Sequence, residues 1–177
     1  MRPQRLRFLT IALAASVGVA ACVDRSPSVM APEPAANVAE GTDSAGTTLL
    51  ACSGRLAGVE FGTIGPLGGL LSVNGHSISI PAGAVLVPTP FTLMVPDTDI
   101  AEVEIQAADL AHYVFESPVT ITLSYAGCSA PDVSSLTAWH IDPDSRQLLE
   151  DMGGTVDTVA KTVTFTTGHL SGYAIAD

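Results

Sequence analysis

The chain from Cys52 to Asp177 predicts an all-β fold, a single β-sandwich of short, mainly antiparallel strands. Three observations carry that expectation. Apolar residues recur at every second position, turn-forming pairs separate the runs, and no window shows a helical apolar stripe. Val119, Ile121, Leu123 and Tyr125 alternate with Thr120, Thr122 and Ser124. Phe91, Leu93 and Val95 alternate with Thr92 and Met94, and Val103 and Ile105 sit between Glu102, Glu104 and Gln106. Ile78 and Ile80 flank Ser79, and Val163 and Phe165 sit among Thr162, Thr164 and Thr166. Such alternation turns one set of side chains to a core and the other to water. The breaks fall at Gly68-Gly69, Asn74-Gly75, Pro81-Ala82-Gly83, Asp142-Pro143-Asp144 and Gly153-Gly154. Asn74-Gly75 is a type I′ hairpin signal, because both central residues of that turn need positive φ. Short strands at this spacing without helices suit a sandwich, and about 125 residues are enough to enclose a core. Pro81, with no N–H, is expected to end a strand, and Pro118 to begin one. Gly83 suits a turn. Trp139, the single tryptophan, is expected in the core, with a stacking platform for a sugar as the alternative.

The front of the 177-residue chain is different material. Residues 1–7 carry Arg2, Arg5 and Arg7 and no acid, and residues 8–19 are apolar apart from Thr10, Ser16 and Gly18. A positive segment followed by a short apolar one is the layout of an export signal. The apolar run falls short of the roughly 20 residues that a transmembrane helix needs. It ends in Val19-Ala20-Ala21-Cys22, which resembles the lipobox of bacterial lipoproteins. That resemblance implies removal of residues 1–21, diacylglycerol on the Cys22 sulfur and a further fatty acyl chain, such as palmitate, on the new amine. Several acyl chains anchor stably where one is marginal. Val23, rather than Asp, after the cysteine favours the outer membrane under the sorting rule of such lipoproteins. Residues 22–51 contain Ser26-Pro27-Ser28, Ala31-Pro32-Glu33-Pro34-Ala35 and Glu40-Gly41-Thr42-Asp43-Ser44 without apolar period or aromatic residue. Such a segment cannot offset its ordering entropy and reads as a disordered tether, with Leu49 and Leu50 placed to begin the fold.

Once the signal is removed, Arg25, Arg55, Arg146 and Lys161 face all 18 acids, a net charge of −14. Nucleic-acid binding needs clustered Lys and Arg, and none are present. The scattered acids read as a soluble surface. With Cys22 lipidated, Cys52 and Cys128 remain, and an exported chain with two leftover cysteines predicts one disulfide; two buried free thiols are the alternative.

The ordered set Gly68-Gly69-Leu70-Leu71, Ile78-Ser79-Ile80-Pro81-Ala82-Gly83-Ala84-Val85, Phe115-Glu116-Ser117-Pro118-Val119-Thr120-Ile121, Leu136 with Trp139, and His169-Leu170-Ser171-Gly172-Tyr173-Ala174-Ile175 resembles the ZU-five domain of netrin receptors, ankyrins and a tight-junction scaffold protein. It is closer still to the ZU-five-like domains of bacterial lipoproteins. The resemblance spans about Gly58 to Asp177. It implies a β-sandwich used for protein contacts or as a structural module, without a cofactor. Some ZU-five domains cleave themselves at His-Phe-Ser, the serine hydroxyl attacking the preceding carbonyl while the histidine moves protons. His169-Leu170-Ser171 stands at that place with Leu170 for the Phe, so the resemblance points to a structural strand entry ahead of self-cleavage.

Conventional chemistry has little support. No GxSxG elbow, Walker loop or GxGxxG precedes a helix, and there is no CxxC. The histidines, His76, His112, His140 and His169, are far apart in sequence, with no pair at metal-ligand spacing, so no metal site is expected. Asp97-Thr98-Asp99 and Asp142-Pro143-Asp144 offer oxygens of the kind that Ca²⁺ takes, but neither matches an EF-hand loop, and the second is a good turn in itself. The sequence therefore predicts a non-catalytic envelope module, lipid-anchored at Cys22, whose partner is an envelope protein or glycan. The alternatives are a glycan-binding domain and a domain that cleaves itself between Leu170 and Ser171. Cys22→Ser is expected to release the protein from membranes or stall its processing, read by membrane fractionation; a processed variant that still fractionates wholly with lipid would refute the anchor.

Overall fold

A computed structural model describes residues 46–177 apart from Asp109, Ala111 and His112; the signal, Cys22 and most of the tether lie outside the described residues. Among the described residues the chain forms β1 (Gly58–Ile64), β2 (Gly69–Val73), β3 (His76–Ile80), β4 (Thr89–Val95), β5 (Glu102–Ala107), β6 (Val114–Ser124), β7 (Thr137–Ile141), β8 (Leu148–Gly153), β9 (Thr155–Asp157), β10 (Thr162–His169) and β11 (Gly172–Ala176). They make a six-stranded sheet, β1-β4-β5-β11-β7-β8, and a five-stranded sheet, β2-β3-β6-β10-β9, with antiparallel pairing throughout. The all-β sandwich predicted by period-two alternation is the fold.

The core lies where the two alternating faces meet. Phe91, Leu93 and Val95 of β4, Val103 and Ile105 of β5, Val119, Ile121 and Leu123 of β6, and Val163 and Phe165 of β10 are all buried in one cluster. Asn74 (φ 50°) and Gly75 (φ 84°) form the two-residue turn between β2 and β3, closed by Val73 opposite His76. Gly153-Gly154 does something else. It lets the chain leave β8 in one sheet and enter β9 in the other, with both glycines at positive φ. β1 had no clear sequence signature, because it ends its sheet and exposes Val59 and Phe61. Its Gly62 packs so close to β2 that a Cβ there would sit 2.5 Å from Leu71 Cδ2.

Three expectations need correction. Pro118 does not begin a strand; it lies inside β6, where the β10 ladder jumps from Thr167–Val119 to His169–Val114. A missing N–H is tolerated at such an irregularity. Glu102, assigned by alternation to the solvent face, is only 3% exposed. Arg146 lies 3.3 Å from its Oε1, and the Thr98 hydroxyl donates to the same oxygen at 2.7 Å. Trp139 is half-buried rather than in the core, beside Ala174 of β11, with its Nε1–H sheltered from solvent and without a hydrogen bond.

The start of the domain is bound to its end. Leu50 is buried; its N–H donates to Ile175 O and its carbonyl accepts from Ala101 N–H, while Thr48 and Asp177 exchange backbone hydrogen bonds. Cys52 and Cys128 form a disulfide across an isolated antiparallel bridge, with Cα atoms 3.8 Å apart. The flanking bonds, Ser53 N–H to Gly127 O and Ser129 N–H to Ala51 O, make this a non-hydrogen-bonded pair, the kind in which opposed side chains come closest. The bridge spans 76 positions of sequence, so it removes much freedom from the unfolded chain. Replacing both cysteines with alanine is expected to lower stability by about 2–4 kcal/mol in urea unfolding. An unchanged midpoint, or two reactive thiols in the unreduced and unfolded parent, would contradict the bridge.

Candidate functional site

Besides the Glu102–Arg146 pair, two polar constellations stand out among the described residues. The first holds the structure together. His76, at the start of β3, is 2% exposed. Ser124 N–H points at its Nδ1 (3.2 Å), and Arg55 Nη2 lies 2.6 Å from its Nε2. Arg55 also donates to the carbonyls of Ile100 and Glu102, which fastens the segment before β1 across the loop into β5. Protonating His76 would set an N–H against each of two donors and bring a cation to the Arg55 guanidinium. Burial first, and then that guanidinium, push the imidazole from 6.5 down to about 4. Burial also lowers the Arg55 pKa, partly opposed by Glu102.

The second constellation lies where β7, β8, β10 and β11 come together. On β7, His140 is the register partner of Tyr173 on one side and of Glu150 on the other. Directly opposed residues in antiparallel strands share a face, so the three side chains are neighbours. β10, of the other sheet, ends in His169, beyond the irregularity at Gly168. The His140 and His169 rings are 5.2 Å apart, and both stand beside the Tyr173 ring. Tyr173 is fully buried, and burial raises its phenol to about 12. Its hydroxyl therefore stays protonated and donates to His169 O at 2.6 Å. The same oxygen lies 3.2 Å from His169 Nδ1. With its proton committed to the carbonyl, it accepts from Nδ1–H, and the lone pair of His169 falls on Nε2. Across the cluster, His140 Nε2 is 2.7 Å from Ser171 Oγ. Burial, and then the proximity of His169, lower the His140 pKa, against the opposing charges of Glu150 and Asp142. A cleft of about 650 Å³ opens beside Ser171 and His140, with Glu104, Asp142 and Leu149 on its walls.

The sequence singled out His169, Leu170 and Ser171 together, and the fold separates their roles. Ser171 meets His140, His169 meets Tyr173, and Leu170 is buried with its N–H on Tyr113 O. An imidazole on a serine hydroxyl is half of an activated nucleophile. The other half for self-cleavage is a strained carbonyl before the serine. Among the described residues no peptide bond is cis, and the non-glycine residues at positive φ are Asn74, Ala108, Arg146 and Lys161, so neither Leu170 nor Ser171 is among them. Sequence spacing showed neither His140 as the partner of Ser171 nor the meeting of His140, Glu150 and His169, because strand pairing and sheet stacking create both. The single available signal was that His140 and His169 each adjoin an apolar strand run. His112 lies outside the described residues.

The Asp142-Pro143-Asp144 turn uses its own oxygens. Asp142 Oδ1 accepts from Ser145 N–H (2.7 Å), Ser145 Oγ (2.8 Å) and Asp144 N–H (3.1 Å), and these bonds hold its carboxyl below the usual range. In the other acidic pair, the Asp99 carbonyl accepts from Cys52 N–H. No protein-family model matches the chain, and a search of curated proteins finds no relative.

The buried His76 generates a pH dependence. The unfolded chain takes up a proton on this residue near 6.5 and the folded one near 4, so stability is complete above about 6.5 and falls as pH drops towards 4. The loss is about 3 kcal/mol across that window. NMR titration is expected to place the His76 midpoint near 4; a midpoint near 6.5 would remove this contribution.

Proposed function

We propose that this chain is an exported lipoprotein, held in the bacterial outer membrane by acyl chains on Cys22, and that its ZU-five-like β-sandwich acts as a non-catalytic module for protein contact or envelope architecture. The observation that carries the reading is the Cys52–Cys128 disulfide, which closes the start of the domain onto its body. Such bridges persist in oxidising compartments, and the charged-then-apolar start of the chain ending in Val19-Ala20-Ala21-Cys22 supplies the route to one. Protein contact is supported by Val59 and Phe61, apolar and exposed on β1 at the end of its sheet. Glycan binding has less support. Phe61 is the one exposed aromatic among the described residues, so a stacking platform of several rings is missing there.

The His140–Ser171 contact favours one second reading, self-cleavage between Leu170 and Ser171. Crosslinking in native envelopes followed by intact-mass measurement separates the two. The expected result is a discrete adduct with an envelope protein, on a chain of residues 22–177 bearing acyl groups, with Ser171→Ala changing the mass only by the substitution. A fragment ending at Leu170 that Ser171→Ala abolishes would establish self-processing instead. A chain that keeps residues 1–21 and carries no lipid would refute the anchor.

A further inference from the structure

We propose that His140, Glu150 and His169 form a binding site for a zinc-class divalent cation, a property independent of lipid anchoring and of any role in envelope contacts. One ligand atom from each residue lies within 4.8 Å of the other two. Tetrahedral zinc, with bonds of about 2.0–2.1 Å, holds its ligand atoms about 3.3 Å apart. Contraction of that order is within reach of side-chain rotation, because Glu150 is exposed and both histidines are half-buried. Two imidazoles and one carboxylate are a donor set suited to borderline metals such as Zn²⁺ rather than to Ca²⁺ or Mg²⁺, which take oxygen.

The surroundings of the two rings strengthen the assignment. Metal-binding imidazoles characteristically have their second nitrogen fixed by a hydrogen bond, which sets tautomer and orientation. Here His169 Nδ1 is held by the Tyr173 hydroxyl, and His140 Nε2 by Ser171 Oγ. In the metal-bound form each ring keeps that contact and gives its other nitrogen to the ion, Nε2 from His169 and Nδ1 from His140. The Glu150 carboxylate offsets part of the ion's charge. Three protein ligands leave a fourth position for water. The three residues come from three strands, β7, β8 and β10, and two sheets, so the ion would also pin the sheets together at this rim.

The test uses the full-length chain, purified in detergent, stripped with chelator and titrated with ZnCl₂ against a chromophoric competitor. One zinc per chain is expected, with the imidazole resonances of His140 and His169 shifting and those of His76 unchanged. His140→Ala and His169→Ala should each weaken binding at least about tenfold, since even an orienting partner is worth that much. Glu150→Gln removes an exposed carboxylate without disturbing the core and should weaken binding in the same direction; Glu60→Gln, on β1, should leave it unchanged. Failure of the parent to bind zinc would overturn the proposal. So would equal affinity in Glu150→Gln, or in a folded His140→Ala/His169→Ala double variant.

Discussion

The last strand closes the fold. β11 enters the six-stranded sheet between β5 and β7, so without it the sheet would fall into two halves. All five of its residues are buried, and its backbone bonds reach β5, β7 and the segment at Leu49–Leu50. Tyr173, its largest side chain, packs on Phe165 of the opposite sheet and so ties the two layers together. Pairings between such distant parts of the chain are costly in loop entropy before they contribute stability. A sandwich built around β11 therefore depends on long-range contacts more than on any local element.

The opening of the domain meets the same constraint from the other side. Leu50, the Cys52–Cys128 bridge and Arg55 fasten the first described residues to strand ends and loops far along the chain. A half-buried charge without partners would be costly, and Arg55 avoids that by donating to the carbonyls of Ile100 and Glu102. Glu102 is sheltered under Arg146 by the same logic. These polar links join segments that the hydrophobic pattern alone would leave loosely defined.

The rim that gathers His140, Glu150, His169, Ser171 and Tyr173 is a by-product of this architecture. β11 sets Tyr173 beside His140, β8 sets Glu150 beside His140, and the stacking of sheets brings His169 over. The Tyr173 hydroxyl donates to His169 O and lies 3.2 Å from His169 Nδ1, which leaves Nε2 of that ring outside this contact. The chemistry of the cluster is thus a property of four strands, β7, β8 and β11 in register and β10 stacked on them from the other sheet, and slipping one strand by a single residue would dismantle it.

By itself the sequence determined the all-β class, the alternating core of β4, β6 and β10, the Asn74-Gly75 hairpin and the cysteine pair, because period-two burial and positive-φ turns are local properties written in consecutive residues. It misjudged Glu102, Pro118 and Trp139, whose surroundings depend on what lies across a sheet: a salt bridge from Arg146, a break in the β10 ladder, and Ala174 alongside. The edge strand β1 escaped notice because exposed Val59 and Phe61 and close-packed Gly62 break the alternation. The site was legible only as isolated names. Ser171 and His169 stood out in the sequence, but only tertiary structure decided that Ser171 answers to His140 and His169 to Tyr173. Distances between side chains are set by strand order and register, and neither is carried by the spacing of residues along the chain.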